Sequence, residues 1–400
     1  MPPFSIKAFK WQGQTVLMRV DFNVPLQDGK IKNDERIKAA LPSIQYLLKQ
    51  GCPLILMSHL GSPKGQIKTE LSLRPVAERL SELLQKPVQM AAESIGQAVE
   101  AKAKALRAGE ILLLENLRFY PAEEKPETDP SFAQKLAALG TVYVNDAFGT
   151  CHRKHASTYA IAAFFPNKAL MGFLIEKEIK YLDECLKNPK RPFCALIGGA
   201  KLSSKIGVLL GLLDKVDELF IGGAMAYAFF KQKGLSIGAS LFEQGSEKTA
   251  LKILQKAAKK KIPVHLPEDL VIAESFNNEA KTKIIPAQEN IPDNYMGMDI
   301  GPKTVESWKR KLHSAKTIFW NGPLGVFEME NFSRGTKGLA LAISAGSAVS
   351  IVGGGDSVAA IEALHLKEKF THLSTGGGAS LEYLENGSLP CIEVLTKRVC

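Results

Sequence analysis

Short apolar runs that end in polar or charged residues recur along the first half of the chain: TVLMRVDFN (15–23), PLILMSHLG (53–61), ILLLENLRF (111–119) and TVYVNDAFG (141–149). Between them lie segments with helical spacing of apolar positions, among them 35–50 and 73–84. A near-continuous apolar run suits a strand covered on both faces, so the pattern predicts a parallel sheet. Its alternation with helices gives the α/β class. The second half repeats the pattern with glycine-rich strand ends: FCALIGGAK (193–201), ELFIGGAMA (218–226), VSIVGGGDS (349–357) and THLSTGGGAS (371–380), each followed by a helix-like segment. Ligands of open α/β sheets sit at the carboxyl ends of the strands. One half presents Asp, Asn, His and Arg there, and the other Gly, Lys and Asp, which suggests two ligand faces for two substrates.

Residues 172–192 carry apolar positions at helical spacing (Leu174, Ile175, Ile179, Leu182, Leu186), and Asn188-Pro189 ends the run. The stretch reads as an inter-domain helix. A length of 400 residues exceeds one ordinary core. The predicted architecture is therefore two doubly wound α/β domains with mainly parallel sheets, joined by that helix: residues 1–171 plus 388–400, and residues 172–387. The return of 388–400 to the first domain follows only from the resemblance described below.

Composition adds limits. Hydrophobic residues at 45% and charged residues at 23% fit a soluble globular protein. A formal charge of +10 favours anionic ligands, although on charge alone a solvated basic surface is the better explanation. The KAAKKK run (256–261) reads as a solvated helix face. Cys52, Cys151, Cys185, Cys194, Cys391 and Cys400 include no C-x-x-C pair and none at metal-ligand spacing with a histidine, so they read as reduced packing thiols. The N-terminal MPPFSIKAFKWQ has no signal-like apolar core, and no apolar run approaches a membrane span. A cytoplasmic protein with no membrane partner is expected.

The sequence contains no G-x-x-x-x-G-K-[ST] loop and no G-x-G-x-x-G after a strand. A single Gly-Gly after a strand is usually only a turn. Repeated in one half, such turns point to close backbone approach to a ligand and to helix N-termini open to an anion. Asp356 within GGGDS stands where a nucleotide-borne Mg2+ would sit, and it equally suits a helix N-cap. Arg19, Arg36, Arg118 and Arg153 cluster with His59 near the strand ends of the first half, and arginine forks match carboxylate and phosphate. Lys201 and Lys205 follow the first Gly-Gly of the second half, where a lysine can reach a transferring phosphoryl group.

The segments RVDFNVP (19–25), SHLG (58–61), ENLRFYPAEE (115–124), NDAFGTCHRKHAST (145–158), GGAKLSSKI (198–206), WNGPLGVFE (320–328), GGGDS (353–357) and STGGGASLE (374–382) resemble the signatures of the phosphoglycerate kinase family, in family order across almost the whole chain. The resemblance implies reversible phosphoryl transfer between 1,3-bisphosphoglycerate and ADP, giving 3-phosphoglycerate and ATP, with Mg2+ carried by the nucleotide. It implies that Asp21, Asn23, Arg36, His59, Arg118 and Arg153 hold the acid. Lys201, Lys205, Gly222, Gly223, Gly297, Asn321, Pro323, Glu328, Gly354, Gly355, Asp356 and Ser357 would form the nucleotide site, with Asp356 on the metal. Gly376, Gly377 and Gly378 would offer backbone N–H groups, and Arg36, Lys201, Gly377 and Gly378 would act on the transferring group. A monomer is expected. Many members have SHLGRP, with arginine where this chain has Ser62, and frequently threonine where it has Ser357.

The chemistry fits this inventory. A substrate carboxylate is already ionised at neutral pH, so the reaction needs positive charge and in-line placement rather than a general base. Closure of the two domains about the 172–192 helix is the expected means of excluding water. A nicotinamide-dependent oxidoreductase is the alternative enzyme and lacks its glycine fingerprint. A nucleic-acid-binding module rests on the +10 charge alone, and the 256–261 run has no interleaved aromatic residue.

Overall fold

The computed structural model describes residues 4–397, so Cys400 and the extreme ends of the first domain's two ranges lie outside the described residues. The chain divides into two compact units, Met1–Lys180 with Ser388–Cys400, and Tyr181–Gly387.

In the first unit, six parallel strands form one sheet in the order Val88–Met90, Ile111–Leu113, Leu54–Met57, Val16–Val20, Val142–Asp146, Ala169–Met171. The central strands are buried along their whole length, as their unbroken apolar runs require. Helix Glu35–Lys49 turns Ile37, Ala40, Ile44 and Leu47 inward, and Arg74–Leu84 turns Val76, Ala77 and Leu80 into the same core. Burying each large apolar side chain stabilises the fold by about 1.5–3 kcal/mol. The two short edge strands, Val88–Met90 and Ala169–Met171, have no counterpart in the sequence reading.

The second unit holds a second six-stranded parallel sheet, in the order Val264–His265, Glu218–Ile221, Phe193–Ile197, Thr317–Asn321, Val349–Gly353, His372–Leu373. Helix Pro302–His313 lays Trp308 edge-on against Phe220, ring centroids 5.4 Å apart, to close its core. An antiparallel sheet of Thr282–Pro286, Asp269–Ala273 and Met296–Ile300 interrupts the βα alternation, a feature not anticipated from the sequence. The lysine run ends helix Ser246–Lys260. It is largely solvated, although Lys256 and Lys260 bracket Asp214 at 2.7 and 2.8 Å. The five described cysteines are free and buried. Among the described residues no helix is long and apolar enough to cross a membrane.

The linking helix is Phe173–Leu186, shorter than the 172–192 stretch, and Asn188 and Pro189 lie beyond its end. Its start is held by Asp146 at the end of strand Val142–Asp146: Oδ1 accepts from the Leu174 N–H at 2.8 Å and the Ile175 N–H at 3.3 Å. A Cβ on Gly172 would come within 2.3 Å of this carboxyl, so glycine is required there. Burial pushes the Asp146 pKa up to about 7, against the pull of Ser43 and the helix amides. An unfolded aspartate titrates near ~3.9. The folded state therefore binds the proton more tightly, and stability falls as pH rises from about 4 to about 7. Asp146→Asn keeps an acceptor for the helix and removes the ionisation. It should raise the unfolding free energy by about 1–3 kcal/mol at pH 8 and by little near pH 4, read from urea midpoints at both pH values.

Candidate functional site

The carboxyl edge of the first sheet gathers polar and charged side chains from four strand ends. Asp21 and Asn23 follow Val16–Val20, His59 follows Leu54–Met57, Arg118 follows Ile111–Leu113, and Arg153 follows Val142–Asp146. Arg36 enters from the first turn of helix Glu35–Lys49, where its Nη1 donates to Asp21 Oδ2 at 2.8 Å. Asn23 Oδ1 accepts from the Gly61 N–H at 2.8 Å, while Arg118 Nη1 donates to the Gly61 carbonyl at 2.8 Å. Gly61 thus ties three of the strand ends together. Arg36 remains partly exposed and Arg153 exposed, whereas Arg118 is buried.

Arg19 differs from the other arginines. It is fully buried, donating from Nε to Ser157 Oγ at 2.9 Å, from Nη1 to the Val20 carbonyl, and from Nη2 to His59 Nδ1 at 3.1 Å. Glu123, also fully buried, lies 3.9 Å from Nη2. It accepts from the Ser157 N–H at 3.0 Å and from Ser157 Oγ at 2.7 Å. Burial pushes the Glu123 pKa up while Arg19 and Ser157 pull it down. Burial and the surrounding arginines hold His59 well below the ordinary histidine range and lower His155 to about 3. Both imidazoles are neutral at physiological pH, so the positive charge of the site belongs to the arginines.

Glu123 and Asn116 were not singled out in the sequence, although both lie in the ENLRFYPAEE motif. Asn116 is fully buried. It accepts from the Leu60 and Arg118 N–H groups and donates to the Leu60 and Leu71 carbonyls, stapling the loop after His59 to the Arg118 turn. A polar residue inside a run of site residues was the only available signal. Ser62, on the same loop, is exposed.

At the carboxyl edge of the second sheet, Lys205 Nζ donates to Asn321 Oδ1 at 2.5 Å and to the Gly198 carbonyl at 2.7 Å. Burial lowers its pKa to about 8, against the attraction of Asp356. Asn321 Nδ2 is buried without a partner and faces the glycine turn, where a Cβ on Gly354 would lie 2.8 Å from it. Ser357 is buried and its Oγ accepts from the Gly322 N–H at 2.6 Å. Helix Gly355–Ala363 begins at this turn and carries Asp356, exposed, in its first turn. The N-cap of that helix is Gly354 and Asp356 lies inside the first turn, so the capping alternative is not realised.

Three more glycines of the predicted site are demanded by the protein's own packing. A Cβ on Gly222 would meet Leu324 at 2.7 Å, one on Gly223 (φ +65°) the Gly199 backbone at 2.5 Å, and one on Gly297 the Tyr227 hydroxyl group. Pro323 contributes its carbonyl, which accepts from the Gly199 N–H at 2.8 Å. Three neighbouring strand-end loops are thereby locked main chain to main chain. Gly377 (φ +53°) has open space around it and precedes helix Gly378–Asn386, while Gly376 N–H donates to Ser374 Oγ at 3.1 Å. Lys201 and Glu328 are exposed. Lys205, Asn321, Gly354 and Ser357 are brought together by direct contacts, and Gly297 belongs to the antiparallel sheet, packed against Tyr227.

Among the described residues, no group of His, Cys, Asp or Glu is assembled to hold a metal ion. A lone exposed carboxylate at Asp356 does suit Mg2+ that arrives on phosphate oxygens and keeps much of its water.

A sequence model described as PGK, phosphoglycerate kinase, matches residues 6–387. The chain is 54% identical over 395 residues to a phosphoglycerate kinase of Chlorobium phaeobacteroides (strain BS1), covering 98% of each chain. It is 50% identical over 398 residues to one of Moorella thermoacetica, covering 100% of each. Among solved structures, phosphoglycerate kinase from Coxiella burnetii superposes with a TM-score of 0.87 at 40% identity, covering 99% of each chain. The Pyrococcus horikoshii OT3 enzyme superposes with a TM-score of 0.85 at 33% identity, covering 98% of each.

Proposed function

The chain belongs to the phosphoglycerate kinase family, and on that premise we propose that the cationic edge of the first sheet holds the phosphoglycerate and the glycine-lined edge of the second holds the nucleotide. The activity is that of the family: reversible phosphoryl transfer between 1,3-bisphosphoglycerate and ADP, giving 3-phosphoglycerate and ATP, a glycolytic step with a carboxyl group as acceptor.

In this reading Arg118, Arg153, His59 and Asn23 bind the anionic groups of the acid, and Asp21 aims Arg36 at its reacting end. The observation that carries the assignment is the convergence of Arg36, Arg118, Arg153 and His59 from separate segments onto one sheet edge. The acid's carboxylate attacks the γ-phosphorus in line, and the bond to the leaving β-oxygen breaks. No side chain needs to take a proton, because the nucleophile is already ionised. Arg36, Lys201 and the N–H groups of Gly377 and Gly378 offset the charge on the phosphoryl oxygens. Asn321 Nδ2, buried and unpartnered, suits an acceptor on the nucleotide. Lys205 and Ser357 shape the phosphate turn, with Gly354 and Gly355 opening the helix behind it. Mg2+ bound to the phosphates with Asp356 as its protein ligand would neutralise charge on the β- and γ-oxygens. A monomer in the cytoplasm completes the proposal, and the buried free thiols suit a reducing compartment. A coupled assay with 3-phosphoglycerate and MgATP tests the reading, and absence of turnover would overturn it.

Ser62→Arg probes the departure from the family's frequent arginine. Ser62 is exposed on the loop that follows His59, at the non-reacting end of the proposed acid site. A contact there binds ground and transition states alike, which changes KM and spares kcat. A charge-assisted hydrogen bond contributes about 1.5–3 kcal/mol. KM for phosphoglycerate should fall by up to about tenfold, with steeper salt dependence and an unchanged nucleotide KM. A rise in KM would indicate that the arginine crowds a site already complete, for instance through Lys64.

A further inference from the structure

We propose that Arg19, buried behind the acid site, is a positioning residue that fixes His59 as the neutral imidazole with its proton on Nε2. His59 then presents a permanent hydrogen-bond donor and selects a ligand group with an acceptor oxygen. The proposal rests on the acid-site reading above for the identity of that ligand.

A guanidinium has five N–H donors and no acceptor. At 3.1 Å from Arg19 Nη2, His59 Nδ1 must supply the lone pair, so the ring proton is on Nε2. The polarity is set further back. Ser157 Oγ accepts from Arg19 Nε at 2.9 Å and spends its single proton on Glu123 Oε1 at 2.7 Å. Arg19 Nη1 is spent on the Val20 carbonyl. The network therefore runs one way: Arg19 donates to Ser157, which donates to Glu123, and Arg19 also donates to His59. Every member is fully or almost fully buried.

Protonating Nδ1 would press an N–H against the guanidinium. The groups around the ring are Arg19, Arg118, Arg36 and His155, with Asp21 Oδ1 3.9 Å from Nδ1 as the opposing acid. Burial and these cations keep the ring neutral. Among the described residues no hydrogen bond involves His59 Nε2, which leaves that donor for a ligand.

Long-range 1H–15N spectra of the full chain labelled with 15N-histidine test this directly, with the His59 signals identified by their loss in His59→Gln. The expected result is a pyridine-like Nδ1 and a pyrrole-like Nε2, unchanged between about pH 5.5 and 8.5, where an ordinary histidine (pKa ~6.5) titrates. A proton on Nδ1, or a titration within that range, overturns the proposal. Arg19→Lys keeps a donor toward Nδ1 and should keep the tautomer. Arg19→Met removes it, and His59 should then titrate. KM for phosphoglycerate, compared with the parent at each pH so that the titration of the ligand's own phosphate (second pKa ~6) cancels, should gain a pH dependence of up to about tenfold across that range while kcat changes little. A merely structural Arg19 would give no new pH dependence. Should Arg19→Met not fold, the parent spectrum still decides. Adding 3-phosphoglycerate separates the two readings: a shifted Nε2–H supports the acid site, while an unshifted one with the tautomer intact sinks the site assignment alone.

Discussion

Lys201→Ala should lower kcat by roughly 10³-fold while moving the nucleotide KM far less, by analogy with arginine-finger losses. The two lysines after the first glycine turn have different duties. Lys205 is committed to Gly198 and Asn321, and burial lowers its pKa to about 8. Lys201 is exposed, and no hydrogen bond holds its side chain among the described residues. Its acidic neighbour Glu243 is already engaged by Ser203 at 2.5 Å. In the proposed site, a free charge interacts most strongly with a group whose charge spreads during transfer. The unfolding curve of Lys201→Ala should match the parent, because nothing packed is removed. Steady-state kinetics with each substrate varied would check the split, and a loss confined to KM would reduce Lys201 to ground-state binding.

Glu123→Leu should destabilise the first unit by about 3–5 kcal/mol, because it leaves Arg19 buried without its counter-charge and takes away the acceptor of two Ser157 donors. For a unit of this size a change of that order lowers the melting temperature by about 10 °C. Calorimetry or thermal unfolding would detect it. A shift below about 1 kcal/mol would show that the site relaxes or that Arg19 finds water, and the pair would then carry little of the fold.

The long central strands were legible because apolar runs such as LILM and FCALI are short, end in polar or glycine turns and alternate with helical segments. Val88–Met90, Ala169–Met171 and Val264–His265 were not, since edge strands this short carry no periodicity. Nor was the antiparallel sheet, whose strand Thr282–Pro286 is mostly exposed and reads as a polar loop. At the site, residue types and their order along the chain could be read directly. Depth could not. Arg19 and Arg36 look alike in sequence, yet one is sealed under Ser157 and Glu123 and the other stands partly in solvent. The glycine turns suggested ligand approach in general. At Gly222 and Gly223 the close approach is to neighbouring chain, which only three-dimensional contact reveals.

The first unit is discontinuous: residues of the second are all placed between Lys180 and Ser388. Helix Pro390–Thr396 completes the first unit at the turn where the Cys391 N–H donates to the Cys151 carbonyl at 3.1 Å. A ribosome delivers the whole second unit before it delivers that helix. Domains generally fold as units during synthesis, the earlier ones first. Here the order is inverted for the final step: the second unit is synthesised in full while the first still lacks its closing helix. The earlier-made unit must wait through the translation of some two hundred intervening residues before the Cys391 N–H can reach the Cys151 carbonyl. Stalling of translation within that interval would leave a nascent chain whose second unit is complete and whose first still lacks its last helix.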